Sequence, residues 1–160
     1  MAHIRTHYLD ASAIVKLLIE EDGSLAVRSY LDPHATRIVT SLCFAETLGV
    51  LKAKEKHGHI SQEQYLSACE ELMAEIRSQT LTIEDIGFTE RGVFDEVEML
   101  CKKHKLDLSD ACQLWTLRKG LLSQFEGESH PILVTADKKL AAAARNEGLR
   151  AWDCMHETAP

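Results

Sequence analysis

Four acidic residues have the type and placement to do chemistry together: Asp10, Glu46, Asp110 and Asp137. Asp10 ends a short extended segment and is followed at once by an apolar helical run, and Asp137 repeats this order near the C-terminus. Glu46 falls in an apolar stripe of one helical segment, and Asp110 falls in the first turn of another. Because the strands of a parallel sheet end at one common edge, we expect these side chains to converge there.

Four converging carboxylates repel one another unless a counter-charge lies between them. The short motifs that contain them include no arginine. The natural counter-charge is therefore a hard divalent cation with oxygen ligands, Mg²⁺ or Mn²⁺. Such a site activates a water molecule and stabilises the charge that develops on a phosphodiester, and two ions can flank the scissile phosphate.

Hydroxyl groups accompany two of these acids, and each has two interpretations. Ser12 follows Asp10 by two residues, and Thr135 precedes Asp137 by two. Each hydroxyl either orients a ligand or binds phosphate, or it serves the local turn and helix cap. Asp10 or Ser12 is also expected to cap the helix that follows the first strand, since either oxygen can accept a bond from a first-turn N–H.

The helix that carries Asp110 needs a cap of its own, and Asp107 or Ser109 is suited to that position. An acid in the first turn is favoured by the helix dipole alone. A purely structural role for Asp110 therefore stays open beside the metal-binding role. Glu46 has a weaker structural explanation, because a carboxylate among apolar neighbours costs free energy unless it is paired, neutralised or bound to a cation.

Extended and helical segments alternate along the chain, and this alternation predicts the fold. The expected strands are residues 4–9, 37–41, 81–86, 132–135 and 149–152. The expected helices are residues 10–18, 24–31, 42–51, 61–76, 88–104, 105–117 and 138–147, and residues 124–131 form an exposed loop. Strands separated by helices indicate an α/β fold whose mostly parallel sheet is covered on both faces. The length fits a single domain, residues 1–160, with one core.

Composition excludes several classes of protein. The chain is 45% hydrophobic but has no apolar window of signal-peptide or bilayer length, which predicts a soluble cytoplasmic protein that contacts no membrane. Its five cysteines form an odd set without a CxxC pair, which is typical of reduced core thiols. The pairs Cys101/His104 and His57/His59 each offer two zinc ligands, but no second pair completes a tetrahedral site, and we interpret them as surface residues.

The net charge of −7 argues against nucleic-acid binding through bulk positive charge. A protein of this charge can still bind nucleic acid through bound cations or through local basic clusters. One cluster lies within residues 52–59 and another within residues 102–105. Solvated helix ends explain each cluster better than RNA contacts do, because cations are favoured near a helix C-terminus.

The four acids lie in short motifs that occur in a characteristic order: YLDASA (residues 8–13), AETL (45–48), LSDACQL (108–114) and LVTADKKL (133–140). In this order they resemble the PIN-domain family, and within it the VapC-type ribonuclease toxins of prokaryotic toxin–antitoxin pairs. The resemblance extends from Tyr8 to about Trp152.

The resemblance implies a three-layer α/β/α sandwich with a five-stranded parallel sheet and Mg²⁺- or Mn²⁺-dependent cleavage of RNA. It also implies a homodimer and a cognate antitoxin protein that blocks the acidic groove. By position, the four family acids correspond to Asp10, Glu46, Asp110 and Asp137, whereas Asp107 has no firm counterpart and is interpreted as a cap or a neighbour of the ligands. Our hypothesis is that the three aspartates hold one or two cations, while Glu46 holds a cation or orients the attacking water.

Three other classes of protein share parts of this pattern. A haloacid-dehalogenase-type phosphatase needs a second aspartate two residues after the first, where this chain has Ser12. A receiver domain needs a paired acid and a phosphorylatable aspartate that the pattern does not supply. The main alternative is a non-catalytic PIN-like module that binds RNA or a partner protein, which metal binding without phosphodiester cleavage would distinguish.

Overall fold

A computed structural model describes residues 6–31, 33, 35–87, 89–125 and 130–160. Strands and helices alternate along these residues as the sequence pattern predicts. The strands are β1 (Thr6–Leu9), β2 (Thr36–Thr40), β3 (Leu81–Glu84), β4 (Ile132–Thr135) and β5 (Arg150–Asp153). The helices are α1 (Ala11–Leu18), α2 (Ser24–Tyr30), α3 (Ser41–Lys56), α4 (Gln62–Arg77), α5 (Arg91–His104), α6 (Leu108–Lys119) and α7 (Lys138–Asn146).

The five strands form one sheet in the order β3-β2-β1-β4-β5, and every neighbouring pair is parallel. β1 is central, and Tyr8 pairs with Ile38 of β2 and Leu133 of β4. The chain runs outward from β1 to β3 and then returns to β4 on the other side. The edge beyond β1 and β4 is therefore the point where strand order reverses, and ligand crevices form at such points.

Apolar core residues lie on both faces of the sheet, because successive strand residues point to opposite sides. Tyr8 and Leu133 pack with residues of α5, α6 and α7 on one face. Leu9 and Val134 pack with residues of α1, α3 and α4 on the other. This arrangement confirms the predicted three-layer α/β/α sandwich, and the structure shows the sheet to be wholly parallel.

Differences from the expected elements are confined to their ends. α6 begins at Leu108 rather than at residue 105, because Lys105 adopts a φ of 54° that ends α5. α5 begins at Arg91, and Phe88 lies outside the described residues. Ser61 and Gln64 form the predicted capping box of α4. The expected loop at 124–131 includes residues 126–129, which lie outside the described part.

The helices and the cysteines bear on two expectations from composition. None of the helices within the described ranges combines the length and the apolarity that crossing a bilayer requires. Cys43, Cys112 and Cys154 are buried free thiols, as expected for cysteines that serve as core residues, whereas Cys69 and Cys101 are only half-buried.

Candidate active site at the carboxyl edge of the sheet

A cleft of about 290 Å³ opens beyond the carboxyl ends of β1 and β4. The structure brings all four predicted acids to its walls, together with the cap residue of α6: Asp10, Glu46, Asp107, Asp110 and Asp137. Four segments supply them, namely the β1–α1 junction, α3, the start of α6 and the β4–α7 junction. Residues that are far apart in the sequence therefore share one cleft at the edge where the sheet topology predicts a site.

Asp10 is the most deeply buried of these acids, with 6% of its surface exposed. Its Oδ1 accepts a hydrogen bond from Gln113 Nε2 at 2.9 Å. Its Oδ2 accepts from Thr135 Oγ1 at 2.8 Å and from Ser12 Oγ at 2.5 Å. These three donors replace the water that burial removes. Because a carboxylate has about four acceptor positions, Oδ1 keeps capacity for a further ligand.

The prediction that Asp10 or Ser12 caps α1 through its side chain is wrong. Asp10 occupies the N-cap position, but its side chain makes no cap bond, because its carboxylate is held instead by the three donors around it. Ser12 lies inside α1, where its hydroxyl donates to Asp10 and accepts from the backbone N–H of Ala136 at 2.9 Å. Ser12 thus ties the end of β1 to the segment that follows β4.

Thr135 both holds the Asp10 carboxylate and serves the turn before Asp137. Its side chain is fully buried, its hydroxyl donates to Asp10, and it accepts from the backbone N–H of Asp137 at 2.9 Å. The alternative of a direct phosphate contact is therefore wrong. Asp137 is exposed and caps α7, since its Oδ1 accepts from the N–H groups of Lys139 at 2.7 Å and Leu140 at 3.1 Å.

Asp110 shows how strongly negative charge accumulates in the cleft. Asp107 caps α6 as predicted, accepting a hydrogen bond from the Asp110 N–H at 2.9 Å. The pKa of Asp110 is raised to about 7, first by burial and then by the charges of Asp10, Asp107, Asp137 and Glu46. A counter-charge in the cleft would reverse the part of this shift that neighbouring acids cause.

Glu46 is exposed, so the prediction that apolar neighbours surround it is wrong. Ala45 and Gly49, two members of the expected apolar stripe, are exposed with it. The cleft still removes part of its water, and this raises the pKa of Glu46. A hydrogen bond from Ser109 Oγ at 3.1 Å opposes the increase, and the negative charge of Asp10 adds to it.

Gln113 and Glu21 were missed at the level of sequence, and Lys54 was assigned to a solvated helix end rather than to the site. Gln113 lies three positions after Asp110 and therefore on the same side of α6. Lys54 lies eight positions after Glu46, on the same face of α3. Glu21 joins them, with Oε1 at 2.7 Å from Lys16 Nζ and Oε2 at 2.7 Å from Lys54 Nζ. Helical spacing was the available signal for Gln113 and Lys54.

The donor chemistry of the cleft fits a hard divalent cation, because its acids offer carboxylate oxygens and carry concentrated negative charge. In the described ranges, however, no three His, Cys, Asp or Glu side chains already form a group that holds an ion. The acids line the same space without meeting at one point.

The two basic clusters are neutralised in large part by neighbouring acids. Lys103 Nζ and His104 Nε2 both lie 2.6 Å from Glu147 Oε1. Lys52 Nζ lies 2.6 Å from Glu55 Oε2. Lys52 and Lys103 are exposed, as expected of helix ends at the surface, whereas only 7% of the His104 side chain is exposed, so the interpretation of His104 as a surface residue is wrong.

Comparison with known proteins adds information on the fold. No protein-family model matches the chain, and no curated protein matches it. Among solved structures, the chain is similar to the crystal structure of PAE2754 from Pyrobaculum aerophilum, with a TM-score of 0.62 and 17% sequence identity. The match covers 92% of this chain and 84% of that one. At this identity the likeness shows a shared fold alone.

Proposed function

We propose that this protein is a PIN-type, metal-dependent endoribonuclease that hydrolyses phosphodiester bonds of RNA, and that it is the toxin of a type II toxin–antitoxin pair. One observation carries the proposal: Asp10, Glu46, Asp110 and Asp137 line one open cleft at the switch point of the sheet. They stand in motifs whose order resembles that family. The raised pKa of Asp110, about 7, indicates that the cleft would gain from a bound cation.

Each acid has a role in this proposal. Asp10, Asp110 and Asp137 would hold one or two ions of Mg²⁺ or Mn²⁺, and Glu46 would hold an ion or orient the attacking water. The bound cation supplies an activated water and a positive charge for the phosphodiester. Gln113 holds the Asp10 carboxylate at a fixed angle through the 2.9 Å bond to Oδ1. Asp110 must release its proton before it can act as a ligand, so metal affinity should rise with pH.

The toxin assignment implies two protein partners. An antitoxin would cover the acidic cleft, and a second copy of the chain would form a homodimer. A cytoplasmic location belongs to the same proposal. The buried free thiols Cys43, Cys112 and Cys154 support it, because such thiols are typical of a reducing compartment.

A second candidate function is a non-catalytic PIN-like module that binds RNA or a partner protein. One observation favours it: the described acids do not already form a group of three around one point. A module of this kind would bind RNA or its partner and, even with a bound cation, would leave the phosphodiester intact.

Cleavage of total cellular RNA by the purified protein tests the proposal. The reaction is run with Mn²⁺ and with chelator, and new RNA ends are mapped by sequencing. Asp10→Asn is the inactive variant, and Asp95→Asn is its matched control, because Asp95 is exposed on α5 outside the cleft. Ends that require Mn²⁺ and disappear only in Asp10→Asn would support the nuclease. RNA binding without new ends would favour the module.

A further inference from the structure

We infer that Lys54 is a substrate-positioning residue, which binds an RNA backbone phosphate that flanks the scissile one. This inference rests on the proposed nuclease function and adds a substrate contact to the same cleft. It arises from the position of Lys54 on α3, from the charges around it and from its pairing with Glu21.

The face of α3 that lines the cleft carries Glu46, Val50 and Lys54 at intervals of four residues. Eight residues of helix span roughly 12 Å along the axis at 1.5 Å per residue. Along the axis of α3, Lys54 is therefore about 12 Å from Glu46. A phosphate bound near the acids and a phosphate beside Lys54 would be different phosphates of one strand.

The charges of the cleft favour a contact between an RNA phosphate and Lys54. Lys54 is the single cation among the described residues that line the cleft, whose acids are Asp10, Glu21, Glu46, Asp107, Asp110 and Asp137. Cations at the acids would neutralise only the phosphate that reacts. Each neighbouring phosphate of the strand also carries a charge, and a lysine beside one would favour its entry into the cleft.

The pairing of Glu21 allows Lys54 to change partner. Glu21 is shared by two lysines, each at 2.7 Å, so this trio carries a net charge of about +1. Lys16 is held in place, with 8% of its side chain exposed, whereas 27% of the Lys54 side chain is exposed. When Lys54 turns to a phosphate, Lys16 still neutralises Glu21.

The other lysines of the same helix lack this combination. Lys52 pairs with Glu55 and does not line the cleft. Lys56 is exposed at the last position of α3 and also lies outside the cleft lining. Lys56→Gln is therefore a matched control for Lys54→Gln, since it removes the same charge from the same helix.

Binding is measured by fluorescence anisotropy with a fluorescein-labelled, single-stranded RNA pool of random sequence, in Mn²⁺ and over a range of salt concentrations. Asp10→Asn is the background, so that the RNA is not cleaved, and Mn²⁺ is kept at a concentration that still fills its weakened site. Adding Lys54→Gln should weaken binding by about tenfold, as the loss of one charge-assisted contact does. It should also lower the slope of log affinity against log salt by about 0.7, the value for one phosphate contact with a single strand.

Lys56→Gln in the same background should leave both quantities unchanged, and Lys54→Arg should restore the slope. Equal behaviour of Lys54→Gln and Lys56→Gln would overturn the inference, as would the absence of any RNA binding by the background protein. Circular dichroism checks that the variants fold. We expect no change, because the partly exposed ion pair of Lys54 with Glu21 contributes little to stability.

Cleavage kinetics separate this inference from the proposed function. With the Asp10 carboxylate intact, Lys54→Gln should raise KM by about tenfold and leave kcat and the Mn²⁺ requirement unchanged, because the contact positions substrate rather than reacting groups. A wild-type protein that fails to cleave RNA would overturn the nuclease. A wild-type protein that cleaves, with an unchanged KM in Lys54→Gln, would overturn only the role of Lys54.

Discussion

Asp10 and Glu84 are both buried acids at the carboxyl edge of the same sheet, with 6% and 8% of their surfaces exposed, yet only Asp10 belongs to the cleft. Glu84 ends β3 and is enclosed. Its Oε2 accepts from Tyr8 Oη at 2.5 Å and its Oε1 from the Leu121 N–H at 2.8 Å. Gly120 packs so closely that a Cβ there would collide with Glu84.

The difference between the two acids lies in their surroundings rather than in burial or strand position. Burial and the neighbouring Glu84 raise the pKa of Tyr8, so Tyr8 stays a protonated donor to this carboxylate. Asp10 is also held by donors, but it faces a cleft where other acids converge and raise the pKa of Asp110 to about 7. A buried acid becomes a candidate site when like charges meet it in an open space.

The enclosed acid, Glu84, should contribute to stability rather than to activity. Glu84→Ala should lower the free energy of unfolding by about 3 kcal/mol, because Tyr8 Oη and the Leu121 N–H lose their acceptor and a cavity remains. Urea unfolding measures the loss, and Glu70→Ala on the exposed surface of α4 is the control. A loss below about 1 kcal/mol would show that the hydrogen bonds of Glu84 with Tyr8 and Leu121 contribute little to the free energy of unfolding. The folded fraction should still cleave RNA.

The acid in the cleft, Asp10, should instead depend on its donor Gln113 for metal binding. Gln113 is 3% exposed and fixes Asp10 Oδ1. Gln113→Leu should weaken Mn²⁺ binding by about 10- to 100-fold, as the loss of a residue that orients a metal ligand does. Paramagnetic resonance of free Mn²⁺ measures the affinity, with Gln62→Leu at an exposed position of α4 as the control. An unchanged affinity would mean that Asp10 needs no such support.

The raised pKa of Asp110 predicts how stability depends on pH in chelator. Its pKa is about 7 in the folded chain against an ordinary 3.8, so between these values the folded chain binds more protons than the unfolded chain. The contribution of Asp110 to stability should therefore fall as pH rises from about 4 to 7. Asp110→Asn should be more stable than wild type by about 1–2 kcal/mol at pH 8, after allowance for its partial exposure, and nearly equal near pH 4.

Urea unfolding at several pH values measures this difference. Asp95→Asn is the control, since Asp95 lies outside the cleft and its variant should show no such trend. A difference between Asp110→Asn and wild type that does not change with pH would contradict the account of charge in the cleft.

The sequence was sufficient to predict the strands, the helices and the meeting of the four acids. Asp10 and Asp137 each follow an apolar strand, and the ends of parallel strands must share an edge. The cap of α6 by Asp107 was also predictable, because helix caps depend on neighbouring residues alone.

Contacts between distant elements were not predictable. Glu84 appeared as one residue of an alternating strand, and its partner Tyr8 lies two strands away in the sheet, which only the strand order reveals. Gln113 carries no charge pattern, and its contact with Asp10 depends on how α6 crosses the end of β1. Asp10 was expected to cap α1, but donors from α6 and β4 hold its carboxylate instead.

Mn²⁺ titration calorimetry of wild type, Asp10→Asn and Glu84→Gln tests the contrast between the two buried acids most directly. Glu84→Gln keeps the size of the side chain and an acceptor for the Leu121 N–H, so it changes charge with little change in packing. We expect Mn²⁺ to bind wild type and Glu84→Gln equally, and to bind Asp10→Asn at least about 100-fold more weakly. Equal binding to Asp10→Asn, or an equal loss in Glu84→Gln, would contradict the assignment of the metal site to the cleft.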